Sequence, residues 1–262
     1  MHKKHKPEFE KLALEIKRII GNRKTYFMLN DGNWGDSLIR EGTEKFLNEN
    51  VITYEKVEET SKFAFNFLSN WKNILNVLRI YKRSVLIFSG SGAFCKYYDR
   101  SILINKLAWK FKYIIILPST FEYPVTFPKN VIAYVRDKFQ SQKNLPRAKF
   151  CHDMAFYLEL SSPEATENLI KIFRKDVESS KINIDKNSID LSAMGKHDTP
   201  IENFVNKIGT YDNIHTDRLH VAIAATLLGR NVSIYANNYF KIKSIYDSSM
   251  KDYFVNIKFC EK

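Results

Sequence analysis

The stretch His215-Thr216-Asp217-Arg218-Leu219-His220-Val221-Ala222-Ile223-Ala224-Ala225-Thr226-Leu227-Leu228-Gly229 opens with polar and charged residues and runs into an apolar helix-like segment that stops at a glycine. Tyr211-Asp212-Asn213-Ile214 precedes it, long enough for a strand and its turn, and the β-branched run Val232-Ser233-Ile234-Tyr235 follows. The pattern is a strand–helix–strand unit whose helix N-terminus carries the charged groups. Thr216 or Asp217 is suited to cap that helix, and Gly229 to end it. Unpaired backbone N–H groups and the positive end of the helix dipole favour an anion there. Arg218 adds a fork that matches carboxylate or phosphate, and His220 a group that titrates near neutral pH. The plainer alternative has Asp217 as a cap, Arg218 paired with it at the surface and His220 packed on a neighbouring strand.

Polar strand ends recur upstream. Lys24-Thr25-Tyr26-Phe27-Met28-Leu29 reads as a buried strand that enters Asn30-Asp31-Gly32-Asn33-Trp34-Gly35-Asp36 and then a helix over residues 37–47. A strand, a glycine-bearing polar loop and a helix mark the place where ligands gather in open α/β sheets. The G-x-G-x-x-G dinucleotide spacing is absent. Ser84-Val85-Leu86-Ile87-Phe88 opens into Ser89-Gly90-Ser91-Gly92-Ala93-Phe94, whose small residues allow close backbone approach. Tyr113-Ile114-Ile115-Ile116-Leu117 ends at Pro118-Ser119-Thr120, and Val131-Ile132-Ala133-Tyr134-Val135 ends at Arg136-Asp137. Helical patterns cover residues 8–20, 67–81 and 101–112. Four apolar strands with intervening helices argue a doubly wound parallel sheet. A second such unit is expected from Ala148-Lys149-Phe150-Cys151-His152-Asp153 onward, with a strand at Ile170-Lys171-Ile172-Phe173, a short helix over 201–208 and a last helix after Tyr239.

The bulk properties narrow the class. The 262 residues, 44% hydrophobic, suffice for one large or two medium cores. No window reaches the ~18 apolar residues of a spanning helix, and the basic start Met1-His2-Lys3-Lys4-His5-Lys6-Pro7 lacks an apolar signal core, so a cytoplasmic protein is expected. Three scattered cysteines, Cys95, Cys151 and Cys260, form neither a disulfide framework nor a zinc cluster. No metal site is expected either, since His152 with Asp153 and His215 with His220 lack ligand spacing. The net charge of +12 favours anionic partners: phosphorylated small molecules, lipid diphosphates, an anionic membrane face or nucleic acid. Dispersed basic residues, and aromatics confined to apolar runs, speak against nucleic acid.

Taken in order, Asn33-Trp34-Gly35-Asp36-Ser37-Leu38-Ile39, Gly90-Ser91-Gly92-Ala93-Phe94, Ile116-Leu117-Pro118-Ser119-Thr120, Val135-Arg136-Asp137, Asp153-Met154-Ala155 and Thr216-Asp217-Arg218-Leu219-His220 resemble the polysaccharide pyruvyltransferase family. Ser91 stands where a third glycine is expected. The resemblance implies two Rossmann-like domains facing across a cleft as in GT-B glycosyltransferases, here residues 1–140 on the acceptor side and 141–262 on the phosphoenolpyruvate side. It implies transfer of the enolpyruvyl carbons of phosphoenolpyruvate to two hydroxyls of a sugar, giving a pyruvate ketal on a cell-surface polysaccharide or its lipid-linked precursor, with no cofactor. Arg218, Leu219 and His220 together with Arg174 would hold phosphoenolpyruvate. Gly35, Gly90, Gly92 and Ser119 are candidate substrate contacts at the strand ends.

The chemistry fits on its own terms. Phosphoenolpyruvate carries a carboxylate and a phosphate, which two arginines and a helix N-terminus can match. His220 is the candidate general acid. Asp31, Asp36 and Asp153 are candidate bases toward the acceptor, each also suited to capping or turn formation. A Lys-rich surface suits an acceptor on a polyprenyl diphosphate at the inner membrane face. The nearest alternative is a GT-B glycosyltransferase with a nucleotide-sugar donor; the more distant one is a non-catalytic basic binding module.

Overall fold

The computed structural model describes residues 3–57, 81–92, 94–179 and 188–261. In chain order the elements are α1 (Lys6–Ile20), β1 (Thr25–Met28), α2 (Trp34–Glu49), β2 (Glu55–Val57), β3 (Val85–Phe88), β4 (Phe94–Cys95), β5 (Tyr98–Asp99), α3 (Ser101–Ala108), β6 (Tyr113–Ser119), β7 (Val131–Val135), α4 (Gln140–Asn144) and β8 (Lys149–Phe150). After a 3-10 turn at Met154–Tyr157 come β9 (Glu167–Ile172), α5 (Glu202–Gly209), β10 (Tyr211–Thr216), α6 (Leu219–Leu227), β11 (Asn231–Tyr235), α7 (Lys241–Ser249) and β12 (Ile257–Cys260). The helix expected over 67–81 lies, apart from its last residue, outside the described residues.

Two parallel sheets carry the molecule. The first has the order β2-β1-β3-β6-β7-β8 and the second β12-β11-β10-β9. In the first, side chains alternate between two apolar layers. Phe27, Val85, Ile87, Ile115 and Leu117 enter one core, while Tyr26, Met28, Leu86, Phe88, Ile114 and Ile116 enter the other with Ile104 and Leu107 of α3. A strand buried on both faces reads as an unbroken apolar run, which is why these segments were recognisable. The first of these cores is continuous with the second sheet, through Ile172, Ile214, Val232 and Ile234.

The expected division at 140/141 cuts across the first sheet. Lys149 and Phe150 pair with Tyr134 and Val135 of β7, so sheet membership changes only between Phe150 and Glu167. The termini also tie the two halves together. His5 Nε2 donates to the Ser249 carbonyl at 2.9 Å, and Ser249 Oγ meets His152 Nδ1 at 2.8 Å. Burial, with His5 nearby, pushes His152 down to about 2, so it is a neutral packing residue. Among the described residues no helix is long and apolar enough to cross a membrane. Cys95 and Cys151 are buried free thiols, and Cys260 is half-buried.

Helix α2 lies against the 3-10 turn at Gly42, where an added Cβ would stand 2.1 Å from the Met154 carbonyl oxygen. Alanine ordinarily strengthens a helix over glycine by ~1 kcal/mol. Here backbone contact reverses the sign, and Gly42→Ala is expected to lower stability by ~1–3 kcal/mol through overpacking. Urea denaturation measures it, and a stabilised variant would contradict this packing.

Candidate active site

The carboxyl ends of the strands in both sheets open onto one cavity of ≈ 380 Å³. This is where open parallel sheets place ligands. Asn30 to Asn33 enter it after β1, Gly92 after β3, Arg136 after β7, Arg174 after β9 and the residues Arg218 to His220 after β10.

The loop after β1 is shaped by a capping box. Asn33 caps α2 by accepting from the Gly35 N–H at 2.8 Å, and Asp36 Oδ2 accepts from the Asn33 N–H at 2.9 Å. The helix therefore starts at Trp34, earlier than the sequence pattern suggested, and Asp36 sits in its first turn. Gly32 is required by close approach, since a Cβ there would lie 2.1 Å from Asp36 Oδ2. Residues of the second half clasp this loop. Trp34 Nε1 donates to the Pro200 carbonyl, Ser37 Oγ to the Lys196 carbonyl and His197 N–H to the Gly32 carbonyl.

His220 stands against the same helix. A Cβ on Gly35 would meet His220 Cβ and Nδ1 at 3.0 Å, so glycine there gives the imidazole its place. The ring lies between two carboxylates. Nδ1 is 3.9 Å from Asp36 Oδ1, and Nε2 is 3.7 Å from Asp153 Oδ2. Both are longer than a hydrogen bond, and Nε2 is buried without a hydrogen-bond partner among the described residues. Behind it, Asp153 Oδ2 pairs with Arg136 Nη1 at 2.5 Å, each side chain only 1% exposed. Arg136 Nε donates to Thr120 Oγ1 at 2.8 Å, and Asp153 Oδ1 accepts from the Ala155 N–H at 2.9 Å. Burial alone would raise the Asp153 carboxyl. The Arg136 guanidinium, His220 and the Ala155 N–H outweigh it and hold the group well below the usual carboxylate range.

The second sheet contributes a buried arginine pair. Arg218 binds Asp190 through Nε at 3.0 Å and Nη2 at 2.5 Å, and its Nη1 reaches Asp176 at 2.9 Å. Arg174 binds Asp176 through Nε at 2.9 Å and Nη2 at 3.0 Å, and Glu178 through Nη1 at 2.6 Å. Asp176 thus bridges both guanidinium groups, and despite partial burial its arginine partners pull it down to about 2. Asp217 turns inward, accepting from the Arg174 N–H at 2.7 Å, and burial lifts it to about 6 against the nearby arginines. Thr216 Oγ1 accepts from the Arg218 N–H at 2.9 Å. Neither residue caps α6, whose N-cap is Arg218 with no side-chain bond to the first turn. Arg218 is also buried, 5% exposed, and not a surface partner of Asp217.

Of the residues singled out by sequence, Asp31, Asp36, Gly92, Arg174, Arg218, Leu219 and His220 line the cavity. Asp153 lies behind His220, and Gly35 beneath it. Gly90 packs on the Pro118 carbonyl, 2.6 Å from a Cβ position. Ser119 is buried and fastens the loop after β3, donating to the Leu117 carbonyl and accepting from the Ser91 N–H. Gly90 and Ser119 therefore support the wall without entering it. Sequence reading had left out Tyr98, Arg100, Asp176, Glu178, Lys241 and, as a cavity residue, Arg136. Arg136 directly follows β7, one of the polar strand ends marked in the sequence.

With this geometry in place, comparison with known proteins gives the family. The sequence model of the family described as polysaccharide pyruvyl transferase matches residues 33–239. The chain belongs to this family. It is therefore an enzyme of the transferase class, acting in polysaccharide biosynthesis on a sugar acceptor. A search of curated proteins finds no match. A solved structure of a functionally uncharacterised protein from Klebsiella pneumoniae is similar over 97% of this chain and 99% of its own, with a TM-score of 0.75 at 23% identity. That likeness shows a shared mixed α/β, Rossmann-like fold.

Replacing Asp153 by Asn in this pyruvyl transferase leaves Arg136 buried without its counter-charge, with an expected loss of ~3–5 kcal/mol at neutral pH. A depressed folded value means the ion-pair contribution is complete above the ordinary carboxyl value of 3.8 and declines as pH falls toward the folded one. The gap between wild type and Asp153→Asn in denaturant titrations should narrow below pH ~4. A gap that is independent of pH would contradict the assignment.

Proposed function

We propose that the cavity binds phosphoenolpyruvate and transfers its enolpyruvyl carbons to two hydroxyls of a sugar, forming a pyruvate ketal and releasing inorganic phosphate. The observation that carries this reading is the convergence of Arg174, Arg218 and His220 on one cavity from adjacent parallel strands. Phosphoenolpyruvate presents a carboxylate and, on the neighbouring carbon, a phosphate, which suits two arginines fixed in orientation by the Asp176 bridge. The uncapped first turn of α6 adds N–H donors beside them.

His220 delivers a proton to the methylene carbon, leaving an oxocarbenium-like centre at C2. Its Nε2 is enclosed against Asp153, so Nδ1, on the Asp36 side, is the nitrogen that serves the substrate. The first sugar oxygen bonds to C2 and gives its proton to a carboxylate on the cavity wall, for which Asp36 and Asp31 are placed. Asp153, committed to Arg136 and outside the cavity wall, orients His220. Loss of phosphate then regenerates the cationic centre, and the second hydroxyl attacks it. One hydroxyl proton ends on the methyl carbon and the other on phosphate. The two sheets correspond, in this reading, to the facing domains of a GT-B-like fold, with the donor against the second sheet and the acceptor against the first.

Thermal unfolding with phosphoenolpyruvate beside a panel of nucleotide sugars tests the donor. At a hundredfold over its dissociation constant the true donor adds ~2.7 kcal/mol of stability. Phosphoenolpyruvate is expected to do so in wild type and to lose most of the effect in Arg218→Lys, because an ammonium cannot replace a fork. Stabilisation by a nucleotide sugar alone would convert the assignment to a glycosyltransferase.

His220→Gln is expected to keep phosphoenolpyruvate binding while lowering kcat by ~10²–10⁴-fold. Steady-state phosphate release reads it out, and an unchanged kcat removes His220 as the acid.

A further inference from the structure

The donor reading uses Arg174 and Arg218 and leaves two other buried cations of the cavity, Arg136 and Lys241, unassigned. Arg136 is buried, with Nε on Thr120 and Nη1 on Asp153. Its Nη2 has no hydrogen-bond partner among the described residues and faces the space above Gly92, where a Cβ would lie 3.3 Å from it. The same Cβ would lie 3.7 Å from Lys241 Nζ. Two cations from different halves of the fold therefore converge on a gap that glycine keeps open. Lys241 is buried too, and it shares one carboxylate oxygen, Glu178 Oε2, with Arg174. Burial, with Arg174 and Arg136 nearby, pushes Lys241 down to about 8 against the pull of Glu178. Beside it the Tyr239 hydroxyl is buried without a partner among the described residues, its ring 5.1 Å from Lys241 Nζ. A buried hydroxyl and a guanidinium nitrogen left unsatisfied, beside a second cation, point to an anionic occupant.

We propose that Arg136, Lys241 and the open space above Gly92 form a second anion subsite, beside the arginine pair, that holds a phosphate carried by the acceptor sugar. The inference rests on the donor reading above for the word acceptor, and on geometry alone for the anion. Gly92 and Arg136 follow strands of the first sheet, whereas Arg174 and Arg218 follow strands of the second. A phosphate held there leaves the arginine pair and His220 to the donor, and sets the sugar's hydroxyls between the two. Lys241 lies two residues beyond the segment that the family model matches, so the subsite includes a feature of this chain outside that model.

Calorimetric titration with glucose, galactose and mannose 1-phosphates, each beside its neutral methyl glycoside, tests the subsite. At least one sugar phosphate is expected to bind, its methyl glycoside at least ~tenfold more weakly, with phosphoenolpyruvate not displacing it. Gly92→Ala, which fills the gap without removing charge, and Lys241→Gln are each expected to weaken the sugar phosphate ~tenfold and to change phosphoenolpyruvate affinity less than ~twofold. Thermal unfolding of both variants reports that they are folded. Equal binding of the neutral glycoside, no binding of any sugar phosphate, or variants that lose phosphoenolpyruvate instead would overturn the proposal. The last result would give these cations to the donor's own phosphate. If the sugar phosphate binds but phosphoenolpyruvate does not, the donor reading falls and the subsite stands.

Discussion

The buried pair of Arg136 and Asp153 is the interaction on which the site depends. Taking two charges to 1% exposure costs several kcal/mol per ion unless nearly every remaining donor and acceptor is used. Thr120 and the Ala155 N–H use one each, leaving Arg136 Nη2 over, and this fixes where β7 ends, how the loop after β6 runs and where the 3-10 turn begins. With those fixed, Asp153 can face only one way, and His220 is set against it. The arrangement contributes little net stability for its size. What it gives is a single orientation for an imidazole whose other nitrogen meets the cavity.

The second constraint is backbone proximity. Gly32 and Gly35 bring the first turn of α2 against Asp36 and His220, and Gly195 receives the Trp34 ring at 2.7 Å from its Cβ position. Glycine at these points is dictated by contact with neighbours and not by unusual dihedral angles; positive φ is confined to Gly21, Gly229 and Val51 among the described residues. The cavity is therefore shaped by how closely two strand-end loops from different sheets can approach. That approach lets a carboxylate from one half and a histidine from the other share a site.

Much of the architecture was legible because strands buried on both faces leave an unbroken apolar trace. The runs at 85–88, 113–117 and 131–135 needed no context to be read. Arg218 was legible as a charged residue at a helix N-terminus, whereas Arg174 stood out only through the family resemblance. Lys149 and Phe150 were harder: a two-residue edge strand carries too few side chains to show which sheet it joins. Asp176, Glu178 and Asp190 fall in a polar stretch with no periodicity, and their role as arginine partners exists only in three dimensions. Lys241 gave no signal at all, because an aromatic and basic segment leading into a helix ordinarily faces solvent. Thr216 and Asp217 were misread as caps for a related reason. Their side chains had a local use available, but the strand end next door offered Asp217 the Arg174 N–H.

Charge distribution decides what such a cavity can accept. The arginine pair is met by three carboxylates, so a ligand there must replace or join an existing network, and selectivity follows from matching the fork geometry of the guanidinium groups. A simple monoanion gains little from that exchange. A ligand with two anionic groups on neighbouring carbons can engage both guanidinium groups at once, and the exchange then favours it. The same network keeps both arginines oriented before any ligand arrives, so less ordering accompanies binding. The acidic residues around the site are thus part of its recognition of anions, because they hold the cations still.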